Sequence, residues 1–305
     1  MNLFAPVLSL IQSIDRRLLA PGSLRRFACA RTVLAATIGL RLALRRWDAL
    51  AEQPPELFRP VLLVAWLTQV PAAALLVLVQ VVGTAGAVLA MIGRRPRLSF
   101  AVAWLALLFL AGLRTSAGKI LHNDVLLLLA AVPILFGPAR TWIGDRRRSM
   151  VAGWPIRAGL AVVGAVYLLT GLQKLRHSGL AWVTSENFRW VLYSGAASGR
   201  APVRWVALAI ADRAWLAHVV AAGLLGFELA APLLLALRRT RPYVVAVAVV
   251  LHGGTWLTLG LDYWAWILTV VALAFPWDRL PWPASTPSGG AGERSRPAMG
   301  AAATP

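Results

Sequence analysis

Apolar residues in this chain arrive in runs of roughly twenty, separated by short breaks that carry arginine, and runs of that length suit helices that cross a bilayer. They extend over Phe27 to Leu44, Pro71 to Ile92, Leu98 to Leu113, a run ending at Pro138, Ile156 to Gln173, Trp215 to Leu237, Tyr243 to Gly260, and Tyr263 to Phe275. The pattern predicts an all-α, polytopic integral membrane helical bundle of about eight transmembrane helices. Val61 to Val70 is apolar but short, and reads as an interfacial or re-entrant piece leading into Pro71. Residues 1–280 form one membrane domain in this reading. From Pro281 the chain is rich in Pro, Ala, Ser and Gly without apolar period, so 281–305 is expected to be a disordered tail.

Composition agrees with the pattern: 59% of the 305 residues are apolar, 14% are charged, and the mean hydropathy is +0.68. A net charge of +19 would suggest nucleic acid in a soluble chain. Here the arginines cluster between apolar runs, as topology signals do, so no nucleic-acid partner is expected and the lipid bilayer is. With eight spans both termini share a side. Placing them inside a cell membrane puts more of the basic residues on the inner face, in groups such as Arg94, Arg95 and Arg97, or Arg146 to Arg148. The first 20 residues lack a basic start and a clean cleavage site, so they read as a surface amphipathic helix, not a signal peptide. Cys29 is the single cysteine, which excludes an intramolecular disulfide and an all-cysteine metal site; no metal is expected. Gly-rich phosphate loops, nucleophile elbows and internal repeats are absent.

Candidate chemistry therefore rests on ionisable residues inside or at the edge of the spans, each costly enough in lipid to need a partner or a task. The chain has 29 arginines and two lysines, Lys119 and Lys174. Arginine does not lose its proton in a protein, whereas a desolvated lysine can become a neutral base. Lys174 either serves as such a base or snorkels to the interface and anchors its helix. Tyr167, Gly171 and Lys174 stand at i, i+4 and i+7, so one helix face carries a phenol, a bare backbone notch and an amine. Counting back from Pro138 starts the fourth helix at Lys119, drawing His122 and Asp124 into its first turns; the alternative is a solvated loop and helix cap. Glu228 lies near the middle of the sixth span and His252 near the middle of the seventh, either as site residues or as groups holding helices together. Between Leu175 and Arg213, Trp182, Trp190 and Trp205 suit an interfacial belt or a lid.

Several of these residues also resemble a family. Tyr167-Leu-Leu-Thr-Gly-Leu-Gln-Lys-Leu followed by Gly179-Leu-Ala-Trp182, then Glu228-x-x-x-Pro232, then the His252 span leading to Leu259-Gly-Leu-Asp-Tyr-Trp and Ala274-Phe-Pro, are similar in order and spacing to the horizontally transferred transmembrane (HTTM) domain shared with vitamin K-dependent gamma-carboxylase. The resemblance covers roughly Leu24 to Trp277. It implies that Lys174 corresponds to the lysine acting as base toward vitamin K hydroquinone, that His122 corresponds to an active-site histidine, and that His252 matches a histidine of a late span. It further implies a quinol (vitamin K-like) cofactor. In the carboxylase, deprotonated hydroquinone reacts with O2, the resulting strong base removes a glutamyl γ-proton, and CO2 traps the carbanion. The large extramembrane region of the carboxylase is not in this sequence, and the family's paired lysines read Gln173-Lys174 here, so a propeptide-bearing substrate is not expected. Two functions stay open. One is a membrane enzyme acting on a lipid-soluble quinone or similar substrate, with Lys174 as base, His122 assisting, and Tyr167, Gly171, Lys119, Asp124, Glu228 and His252 lining or supporting the pocket. The other is a non-enzymatic, bacterial-type partner in small-peptide maturation, export or immunity, similar to the sporulation-delaying-protein branch of the superfamily.

Overall fold

The Ser23 hydroxyl accepts a hydrogen bond from the Arg26 amide at 3.2 Å, and this cap starts α1 (Leu24–Ala43). The computed structural model describes residues 16, 18–117, 122–141 and 143–281. The expected amphipathic start and the 281–305 tail fall almost wholly outside those residues, as does Lys119. After α1 come α2 (Ala73–Met91), α3 (Pro96–Thr115), α4 (Val125–Leu135), α5 (Met150–Ser178), the short α6 (Ala181–Thr184), α7 (Asn187–Ala197) and α8 (Arg204–Ala211), then α9 (Ala214–Ala236), α10 (Arg241–Leu259) and α11 (Trp264–Ala274). Two-residue strands β1 (Gly22–Ser23) and β2 (Arg148–Ser149) pair antiparallel and tie the start of α1 to the start of α5.

The protein is an integral membrane helical bundle. Among the described residues six helices, α1, α2, α3, α5, α9 and α10, are long and apolar enough to cross a bilayer. The fourth and eighth expected spans are the 11-residue helices α4 and α11, each about 17 Å long at 1.5 Å per residue, against a hydrocarbon core of about 30 Å. The fourth helix does not begin at Lys119: it begins at Val125, with His122 and Asn123 in the turn before it. That turn is held by its own contacts. The Asn123 side-chain amide donates to the Asp262 carbonyl at 2.6 Å, and the Trp266 indole donates to the Asn123 carbonyl at 3.0 Å. These bonds fix a backbone that helical continuation would withdraw.

Burial separates a centre from a periphery. In α1, 67% of the apolar window is inside the protein, against 28% in α2 and α9 and 22% in α10, which leave Leu78, Val81, Leu233 and Val250 facing outward. Outward apolar side chains are costly in water and natural in lipid. The core runs through Phe27, Leu34, Ile38, Leu107, Leu127, Val163, Tyr167, Val270 and Leu273, joining α1 to α3, α4, α5 and α11. A second cluster, Phe188, Leu192, Ala196, Ala207 and Ala211 against Ala217 and Ala221, packs α7 and α8 onto the start of α9. The tryptophan-rich segment after α5 is thus a helical cap. Trp190 and Trp205 on it are exposed, as membrane-interface tryptophans are. Val61 to Val70 contains one turn of 3-10 helix, Leu62–Val64, ahead of α2.

Candidate functional site

Gly171 determines how closely α9 approaches α5. A Cβ there would lie 3.1 Å from the Glu228 Cβ and from Leu229, and about two turns below, Gly164 meets Pro232 in the same way. The two small residues let the helices close, and Lys174 reaches across to Glu228, with Nζ 2.5 Å from Oε1. The Glu228 side chain is only 8% exposed, and its other oxygen, Oε2, is buried without a hydrogen-bond partner among the described residues. Trp182 of α6 lies above: Lys174 Nζ is 4.9 Å from the centre of its ring. The Trp182 indole N–H is likewise buried and unpartnered. A lysine amine, a carboxyl group with one free oxygen and an indole donor therefore meet beneath the cap.

Two turns down α5, the Tyr167 hydroxyl is 2.8 Å from His252 Nε2, joining α5 to α10. Both side chains are buried. Phe227 and Trp266 meet the Tyr167 ring edge-on, at 5.2 Å and 5.9 Å between centres. Tyr263 continues the row: its ring lies 5.5 Å from His252 and 5.6 Å from Trp266, and its hydroxyl is hydrogen-bonded to His122 Nε2. The structure thus brings Tyr167, Gly171, Lys174, Glu228 and His252 together, with His122 one ring further out at an exposed position.

Asp124 belongs to a different arrangement. It stands just before α4, makes no side-chain cap bond, and instead pairs with Arg41 (2.9 Å) of α1 and Arg45 (2.6 Å) just past its end. Asp262, in the turn between α10 and α11, pairs with the same two arginines. Arg41 is buried and also lies over the Trp264 ring at 4.5 Å. Burial pushes the Asp262 carboxyl up, but Arg41 and then Arg45 outweigh it and hold the carboxyl below the usual carboxylate range. This four-charge network joins α1, α4 and the α10–α11 turn, and fixes Asn123 and Tyr263 beside it.

Sequence reading placed Trp182 in a belt or a lid, and missed Tyr263, Trp266, Arg41 and Arg45 as neighbours of the site. Arg41 carried a signal: an arginine inside the first apolar run needs a partner. The aromatic residues carried none, since tryptophan and tyrosine are common at membrane edges. No group of three or more His, Cys, Asp or Glu side chains that could hold a metal occurs among the described residues.

The family model described as HTTM domain matches residues 23–278. No curated protein and no solved structure gives a significant match.

Proposed function

Because the chain belongs to the HTTM domain family, we propose that it is a carboxylase-like membrane enzyme in which Lys174 is the base toward a quinol-type, lipid-soluble substrate. The observation that supports this reading most is the pairing of part-buried Lys174 with buried Glu228, whose unspent Oε2 lies under Trp182. In this proposal Lys174 acts in its neutral form, and the Glu228 carboxyl beside it is the group that holds the displaced proton. A neutral amine can accept a hydroxyl proton at Nζ, which an arginine at the same place cannot do. The ammonium then formed stays beside the substrate oxygen and stabilises its negative charge.

The orphaned Oε2 of Glu228 and N–H of Trp182 fit an aromatic diol, one accepting from a hydroxyl and the other donating to an oxygen. A bound quinol would supply that hydroxyl proton and the reducing electrons. Phe227, Tyr167 and Trp266 give the site an aromatic wall, Tyr167 and His252 fix each other's orientation, and His122 with Tyr263 places a proton near the mouth. In this proposal the domain extends over 1–280, Asp124 supports the site through Arg41 and Arg45, and the end that carries Lys174 faces outward from a cell membrane, with both termini inside.

The test is hydroquinone oxidation and O2 uptake by protein in lipid nanodiscs, comparing wild type with Lys174→Ala and Glu228→Gln. Loss in Lys174→Ala of about 100-fold or more supports general-base catalysis. Equal background in all three, with the variants folded, excludes the reading.

A second reading is favoured by one observation: the polar pairs each join different helices, α5 to α9 through Lys174–Glu228, and α5 to α10 through Tyr167–His252. In a non-enzymatic partner of small-peptide maturation, export or immunity they would serve only to hold the bundle. There Lys174→Ala would lower stability with no activity to lose.

A further inference from the structure

At the opposite end of the bundle, the N-termini of α1, α5 and α10 converge with the C-termini of α9 and α11 around a cavity of about 110 Å³. Six arginines line it: Arg26, Arg148, Arg157, Arg238, Arg241 and Arg279, with Asp278 the one carboxylate. Three of them form the floor and are fixed by backbone carbonyls. Arg26 donates to Leu273 at 2.7 Å, Arg157 to Leu18 at 2.8 Å, and Arg241 to Leu235 at 2.8 Å. Arg148, Arg238 and Arg279 form an exposed rim, where Arg148 donates to the Pro21 carbonyl at 3.0 Å.

None of the six is in an ion pair among the described residues. Arg26 Nε and one terminal nitrogen of Arg157 are buried with no hydrogen-bond partner among the described residues. The floor is built for closeness: a Cβ at Gly22 would strike the Gly153 backbone, and one at Gly153 would strike the Ala20 carbonyl and the Arg157 guanidinium. Charge that only orients a membrane protein sits in solvated loops and needs no cavity. Here guanidinium groups are drawn inward toward one space, and the three helix N-termini, which add positive potential, outnumber the two opposing C-termini of α9 and α11.

We infer that this cavity binds a phosphate group, carried either by an anionic lipid headgroup or by a soluble phosphate. Guanidinium N–H groups in a fixed fork match phosphate oxygens, and basic pockets between transmembrane helices take anionic headgroups. The site is separate from Lys174, at the other end of α5, and does not depend on the proposed catalysis.

The experiment follows thermal unfolding in three settings: phosphatidylcholine nanodiscs, the same with phosphatidylglycerol added, and phosphatidylcholine nanodiscs with inorganic phosphate. The variant is Arg238→Gln with Arg279→Gln, two exposed rim positions that make no side-chain hydrogen bond in the fold; Arg146→Gln, exposed and outside the cavity, is the control. The midpoint is expected to rise with phosphatidylglycerol or phosphate, at least half of that rise to vanish in the double variant, and all of it to persist in the control. A rise with phosphatidylglycerol alone assigns a lipid headgroup, and a rise with phosphate in neutral lipid assigns a soluble ligand. No rise in wild type, or an equal rise in the double variant and the control, overturns the inference.

Discussion

Where α1 finishes and α4 and α11 begin, Arg41, Arg45, Asp124 and Asp262 neutralise one another, and nearby Lys174 is answered by Glu228. Where α1 begins, Arg26, Arg157 and Arg241 meet backbone carbonyls and no carboxylate within ion-pair distance. The same residue type therefore has two physical roles in one bundle. A buried, paired arginine is part of the fold, because removing it strands its partner's charge. An unpaired arginine at a cavity rim contributes little to the empty protein and is available for a ligand.

The comparison would break first at Arg41. Arg41→Leu leaves Asp124 and Asp262 short of a partner and is expected to cost about 3–5 kcal/mol, as removal of one member of a buried pair does; denaturant titration in mild detergent measures it. A cost below about 1 kcal/mol would mean the network is ornamental. Gly171→Val comes next. Its side chain would press on Glu228 and Leu229, and overpacking of this kind costs about 1–3 kcal/mol. Cross-linking between α5 and α9 should report the separation of the two helices.

Acid sharpens the picture at Asp262. Its carboxyl is depressed by Arg41 and Arg45, so its contribution is fully present above the unfolded-state value of about 4 and is lost as pH falls through the lower folded value. Thermal midpoints measured from neutral pH into acid should fall at the bottom of that range in wild type and show a smaller fall in Asp262→Asn. The smallest effect belongs to the other end: Arg238→Gln in neutral lipid should change stability by no more than about 0.5 kcal/mol. A large loss there, by the same titration, would erase the distinction between the ends.

The bundle was legible because apolar runs of membrane length admit few alternatives to helix, and all eight runs are helical over at least part of their extent. The fourth helix was placed too early because span-length counting assumes every helix crosses alone. The α4 segment is buried among α1, α3, α5 and α11, where turn bonds from Asn123 and Trp266 can replace helical ones. The candidate residues on α5 were legible as a face, since i, i+4 and i+7 spacing is a property of one helix. Pairing was not. Lys174 could have met any carboxylate at its depth, and the choice of Glu228 follows from Gly171 and Gly164 admitting α9, which only helix order reveals. Asp124 was foreseen as a residue supporting the pocket, but its partners, Arg41 and Arg45, lie 79 residues or more away from it in the chain.

The most direct test of the account is the turnover of hydroquinone under O2 by Lys174→Arg beside wild type, in the same nanodiscs. Arginine keeps the positive charge beside Glu228 but cannot serve as a neutral base. The account predicts a folded variant whose turnover falls by about 100-fold or more. Turnover by Lys174→Arg equal to that of wild type would show that the site needs only a cation there, and would contradict the role of Lys174 as base.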